Sequence, residues 1–324
     1  MSYNLCCISN SLAADGHKFQ TMTYKRFASL SRDEAVTTVS ARTLNNIRVT
    51  YKILRQCHRN GWGYRISSNL FPLLTYKPAN LHHGDYPDWP EISSALCDIQ
   101  SLVDTQRVRI SCHPDQFNVL ASDDDAKVDK TITELDHQGQ VMTWMGARHG
   151  YWNPINIHVN NTKGDPADIA ARFMHNLSRC HRDVTSRLVV ENEDKGIWTP
   201  KLLAQHFDIP ITYDNLHHKC LPDGLTQGQA YDLCYLTWHV DENDFRQIKP
   251  IFHYSESHPD KSNFRSHADM PSSKPFLFDS MPADYDIELK HKDHAIAAMQ
   301  NGLWVEDEYA AEMWIPNPSQ QEVA

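Results

Sequence analysis

Histidines and carboxylates recur in this sequence where short, β-forming apolar runs end. His113 closes "RVRISCH", His158 lies in "INIHVNN" and Glu191 in "RLVVENE". Asp214 and His217 close "IPITYDNLH", His253 lies in "PIFHYSES" and Glu288 in "DYDIELK". Strands of a parallel barrel are covered on both faces, so an acid or histidine there must be paired, bind a metal or weaken the fold. A lone strand histidine such as His113 is most simply a satisfied core residue. Glu191, flanked by Val190 and Asn192, is harder to dismiss. Successive runs that carry only His, Asp and Glu at the same end point to a cluster of divalent ions. Zn²⁺ and Mn²⁺ take these ligands, and carboxylates can bridge two ions. Glu191, Asp214 and Glu288 are the candidate catalytic carboxylates. "DNLHH" by itself reads equally as a polar turn, and within it His218 reads as a supporting residue. His239 and His258 read as solvated surface residues, and His82 and His83 fall in a polar loop.

Eight runs with strand character supply these residues: 4–9, 63–68, 107–113, 155–161, 187–193, 209–215, 250–257 and 284–290. Segments of helical period lie between most of them. One opens with Ser31 as N-cap and acids in its first turn, and stops at Gly61. Another spaces Ile169, Phe173 and Leu177 four apart on one face. A third sets Pro200 behind a capping Thr199, and "HAIAAMQNG" closes the series. Strands alternating with helices predict a single (β/α)8 TIM barrel with its site at the C-terminal strand ends. A doubly wound sheet fits less well, because no G-x-G-x-x-G follows the first strand. One domain over 1–313 is expected, with a disordered tail over 314–324. Residues 69–90 and the segment after the seventh strand read as long loops.

The chain has 324 residues, and 31 Lys and Arg against 41 Asp and Glu give a formal charge of −10. That balance excludes a broadly basic nucleic-acid-binding surface but not a local one, since bound cations reverse the field in a cleft. The 8 cysteines include no C-x-x-C pair. No signal peptide and no membrane span are read, so a reducing cytoplasm is the expected location.

The motifs "LCCISN", "YRISSNLFP", "ISCHPDQF", "INIHVNN", "LVVENED", "ITYDNLHH", "FHYSES", "SHAD" and "IELKHKD", in this order, resemble the ultraviolet-damage endonuclease family. Endonuclease IV and xylose-isomerase-like barrels share part of the pattern but not "HPDQF". The resemblance implies two or three divalent ions, manganese first and zinc or magnesium as alternatives. The implied ligands are His113, His158, Glu191, Asp214, His217, His253, His267 and Glu288. Glu191 would bridge an ion held by His113 and His158 to a second held by Asp214, His253 and Glu288, and His217 and His267 would hold a third. The resemblance also implies that Gln116 and Phe117 insert into the helix at a lesion and that Asn10 contacts it. Three positions depart from the family pattern. Ile251 stands where a lysine is usual, the nearest lysine being Lys249; Phe117 stands for the commoner tyrosine; and Cys6 stands for a first-strand tyrosine.

The resemblance implies an enzyme that hydrolyses the phosphodiester immediately 5′ to a UV-damaged or distorted base in double-stranded DNA, leaving a 3′-hydroxyl, and a monomer is expected. Lys163, Lys195, Lys219, Lys261 and Arg265 lie just beyond the strand ends, where they either meet phosphates or are merely solvated. The rival readings are a metal-dependent sugar isomerase with a closed polyol pocket, and a barrel that binds damaged DNA with weakened catalysis.

Overall fold

The computed structural model describes residues 2–105, 108–238, 248–276 and 281–303. The sequence expectations for His239, for the start of the third run at Arg107 and for the 314–324 tail lie outside these residues. Eight strands form one sheet: β1 (Tyr3–Cys6), β2 (Gly63–Ile66), β3 (Ile110–Cys112), β4 (Ile155–Ile157), β5 (Leu188–Glu191), β6 (Ile211–Thr212), β7 (Ile251–Tyr254) and β8 (Asp284–Ile287). Their order is β6-β5-β4-β3-β2-β1-β8-β7, and every pairing is parallel. A bridge between Asp214 and His253, with the His253 N–H donating to Tyr213 O at 2.9 Å, brings β6 against β7 and closes the ring. This is the expected (β/α)8 barrel.

Local signals set the outer helices. Ser31 and Glu34 form a reciprocal capping box on the helix Arg32–Asn60, and Gly61 ends it in the left-handed region at φ 69°. Ile169, Phe173 and Leu177 are buried on one face of the helix Pro166–Leu177. The strands are shorter than the runs that predict them. Glu191 and His253 stand at the ends of β5 and β7, and His113, His158, Asp214 and Glu288 follow their strands by one or two residues, so these side chains emerge at the C-terminal rim.

The barrel interior departs from expectation. Apolar residues such as Leu5, Tyr64, Ile110, Phe252 and Ile287 are buried. They alternate with buried polar residues that fill the lumen: Asn4, Arg65, Ser111, Asn156 and Asp286. Asp286 accepts from Asn4 Nδ2 at 2.8 Å and from Ser111 Oγ at 3.3 Å. Lower in the barrel, Asp284 takes Arg109 Nη1 at 3.0 Å and Lys249 Nζ at 2.5 Å. Lys249 is thus committed to Asp284, and Ile251 is buried. Ion pairs and hydrogen bonds satisfy much of the polar lumen, while Asn4 Oδ1, Arg65 Nε and Asn156 Oδ1 are buried without a hydrogen-bond partner.

Candidate metal centre

Glu191, the last residue of β5, is buried at the centre of the site. Its Oε2 lies 3.1 Å from His113 Nε2 and 3.8 Å from His158 Nε2, and also accepts from Asn156 Nδ2. Its Oε1 lies 3.0 Å from His217 Nδ1 and 3.2 Å from His253 Nδ1. Four histidines from four strand ends therefore meet on one carboxylate. His253 extends the cluster, with its Nδ1 3.5 Å from Glu288 Oε1 and 3.9 Å from Asp214 Oδ2.

A six-residue helix, Asn215–Cys220, places the candidate ligands that follow β6. Asp214 is its N-cap and accepts the His217 N–H at 2.7 Å. One further residue turns the next side chain about 100° around the axis. His217 therefore reaches Glu191, while His218 is buried behind, 3.2 Å from both the Tyr213 hydroxyl and Asp223 Oδ1. That is the supporting place expected of His218.

The ligand atoms form three compact groups: His113, Glu191 and His253; His158, Glu191 and His217; and Asp214, His253 and Glu288. Each is a donor set that suits a divalent ion. Asp214 Oδ2 is buried and has no hydrogen-bond partner, as a carboxylate oxygen waiting for a cation would be. The grouping differs from the implied one, because His217 joins His158 on Glu191. His267 belongs to none of the three groups. Its Nδ1 is 3.0 Å from the Glu288 carbonyl oxygen and 3.8 Å from Glu288 Oε2.

The charges are finely divided. Burial would raise the Glu191 carboxyl, but His253 and His158 by their charge, and His113 and His217 by hydrogen bonds, hold it well below the usual range. Burial lowers His158 to about 4. Burial opposes protonation of His253 too, yet Glu191 and Glu288 lift it to about 9. Burial raises Asp214. A metal held by His253 must displace its proton, so metal affinity should climb with pH up to about 9 and level off above it. Calorimetric titration with Mn²⁺ in buffers of different ionisation enthalpy should show proton release at pH 7; heats independent of buffer would contradict this.

Arg65 was not foreseen among the site residues. It is buried, its guanidinium contacts Glu288 Oε1, and Asp286 Oδ2 lies 3.8 Å away. Burial alone would raise the Glu288 carboxyl, but Arg65 and then His253 hold it well below the usual range. A cavity of about 380 Å³ opens over this floor, lined by Arg65, His113, Gln116, His158, Glu191 and Glu288 among others.

The rim carries the other sequence candidates. Phe117 is 78% exposed on the β3 exit loop, beside an exposed Gln116 whose carbonyl accepts from Asn160 Nδ2 at 2.9 Å. Asn160 adopts φ 55°, the left-handed region, and its N–H donates to Glu193 Oε1 at 2.7 Å. Asn10 opens a short helix, its N–H 2.6 Å from Asp293 Oδ1. Lys163 and Lys195 are exposed. Arg265 is exposed but already paired, with its Nε 3.2 Å from Asp194 Oδ2. His258 is not the solvated residue expected: only 13% of its side chain is exposed, and its Nε2 lies 3.6 Å from Asp269 Oδ2.

Known proteins share this frame. The chain is 27% identical over 291 residues to the UV DNA damage endonuclease of Bacillus mycoides, covering 87% of each. It is 28% identical over 305 residues to that of Bacillus cereus, covering 90% of this chain and 91% of the relative. The crystal structure of SacUVDE superposes with a TM-score of 0.74 at 26% identity, over 93% of this chain and 99% of that one. Endonuclease IV from Thermus thermophilus shares the fold, with a TM-score of 0.55 at 13% identity, over 78% of this chain and 91% of that one. The model of the family described as UV-endonuclease UvdE matches residues 1–310, and on that match, which spans every strand of the barrel and every residue of the cluster on Glu191, the chain belongs to that family.

Proposed function

We propose that this protein is a divalent-metal-dependent DNA repair endonuclease. It hydrolyses the phosphodiester immediately 5′ to a UV-damaged or otherwise distorted base in double-stranded DNA and leaves a 3′-hydroxyl. The observation that carries this is the Glu191 carboxylate shared by four histidines beside Asp214 and Glu288, at the floor of an open cavity. These residues would hold two or three ions, Mn²⁺ first, with His267 beside Glu288 as the outermost candidate ligand. Such ions supply Lewis-acid activation of water and neutralise charge on a phosphate.

The chain's own residues do the rest. Arg65 holds Glu288 ionised and in place. The Asp214 cap fixes where His217 points. Lys163, Lys195 and Arg265 offer positive charge to the DNA backbone around the mouth, and Asn10 faces the same end of the barrel. A sugar isomerase would enclose its substrate; here an exposed phenylalanine stands at the rim. The protein would act as a monomer in the cytoplasm, in keeping with 8 cysteines that are all unpaired.

Metal-stripped protein should leave irradiated supercoiled plasmid intact, and Mn²⁺ should restore its conversion to the open circle. Relaxation that is indifferent to chelation, or absent with Mn²⁺, Zn²⁺ and Mg²⁺ alike, would overturn the reading. Gln116 and Phe117 would wedge into the stack at the lesion, where a damaged step opens most easily. Phe117→Ala should therefore lower incision of a lesion duplex about 10-fold or more, the scale of one lost base–aromatic stack. Its melting temperature should not move, because Phe117 packs against little. Incision at the wild-type rate would count against the wedge.

A further inference from the structure

The segment after β7 is not an open loop. Ser257 and His267 form an antiparallel bridge, His258 N–H donates to Ser266 O at 2.6 Å, and Ala268 N–H to Glu256 O at 2.7 Å. These contacts make a hairpin whose stem stands on the metal centre through His267 and Glu288. Its tip carries Lys261, Phe264 and Arg265. Arg265 ties the tip to the β5 exit loop through Asp194 and lays its guanidinium carbon 4.9 Å from the Phe264 ring centre. Phe264 is nevertheless 48% exposed. A large apolar ring held half-exposed at the end of a braced hairpin, with a cation on it, is poised for an external partner.

The barrel order says which partner. β3 and β7 are four strands apart in a ring of eight, so the loops bearing Phe117 and Phe264 leave from opposite sides of the mouth. The cavity over Glu191 lies between them. Cations accompany the second ring. Lys261 is exposed at the hairpin tip, and Lys290, just past β8, has its Nζ 3.8 Å from Asp269 Oδ1 as a partial counter-charge. Two ammonium groups on the loops of the adjacent strands β7 and β8 favour a polyanion on this side of the mouth.

We propose that Phe264 is a second base-stacking site. It takes a nucleobase of the duplex on the side of the cavity opposite Phe117, while Lys261 and Lys290 receive the adjoining phosphate. The DNA is then gripped at two points with the scissile bond between them. This rests on the DNA-endonuclease reading above.

The test uses metal-loaded protein and a fluorescein-labelled duplex with one thymine dimer, with 2-aminopurine placed on one side of the dimer or the other. Phe264→Ala should weaken binding about 5- to 100-fold, the range of a lost base–aromatic stack. Phe264→Trp should restore it, and the melting temperature should stay at the wild-type value. Phe264→Ala and Phe117→Ala should alter 2-aminopurine emission on opposite sides of the dimer. Wild-type protein that binds and nicks the duplex, with Phe264→Ala binding within twofold of it, would overturn the stacking site and leave the endonuclease reading intact. So would both variants changing the emission on the same side. Wild-type protein that neither binds nor nicks the duplex would overturn both.

Discussion

Glu191→Gln should lower incision of damaged DNA at least about 10³-fold, equivalent to about 4 kcal/mol of barrier. Glu191 belongs to two of the three candidate ligand groups, and both of its oxygens are engaged. Glutamine keeps the shape but offers one neutral oxygen, so it can neither bridge two ions nor balance their charge. Partners one shell further out commonly change metal affinity about 10- to 100-fold, and a shared ligand should exceed that. The variant should also purify with less bound metal. His253 should lose much of the lift that takes it to about 9, because Glu191 is the largest upward influence on it. Wild-type turnover with undiminished metal content would contradict the assignment.

Arg65→Met should destabilise the metal-free protein by about 3–5 kcal/mol, the usual cost of stripping one partner from a buried ion pair. Arg65 and Glu288 have side chains only 10% and 12% exposed, and Asp286 lies beside them. Without the guanidinium, Asp286 keeps the neutral donors Asn4 and Ser111, and the two carboxylates are left with histidines, His253 beside both and His267 beside Glu288, as their cationic neighbours. Because Arg65 depresses the Glu288 pKa, the stability it supplies is present above the unfolded carboxylate value near 4.5 and is lost as pH falls through the lower folded value. The gap between wild type and variant should therefore be full at pH 7 and shrink in acid. A divalent ion on Glu288 replaces the missing charge, so millimolar Mn²⁺ should recover more stability in the variant than in wild type. Equal gains in both proteins would show that Arg65 and the ion do not share Glu288.

The strand ends were readable because the third to eighth runs each carried His, Asp or Glu towards their ends, which a buried parallel strand has little reason to carry. The lumen was not read, although its signal was present. Arg109, Ser111 and His113 alternate along the third run, and Asp284, Asp286 and Glu288 along the eighth. A period of two places each set on one face of its strand. The assumption that barrel strands are nearly all apolar concealed that pattern, and with it Arg65 in "GYRISS". A guanidinium is not a metal ligand, and Arg65 instead balances the charge of Glu288, a candidate ligand. The sharing of His217 with His158 depends on the exit angle of a six-residue helix, which spacing does not fix. His258 was misread because its segment is hairpin rather than loop, and the pairing of residues 257 and 267 joins positions ten apart with no tight-turn signature between them.

The most direct test is to map the cut. Metal-stripped protein is supplied with Mn²⁺ and a duplex carrying one thymine dimer, labelled at the 5′ end of the damaged strand, beside an undamaged copy. The account predicts one product, ending at the phosphodiester immediately 5′ to the dimer, with a 3′-hydroxyl that a polymerase extends, and no cleavage of the undamaged duplex or in the presence of chelator. Cleavage on the 3′ side of the dimer, equal cleavage of both duplexes, or no cleavage with any divalent ion would contradict it.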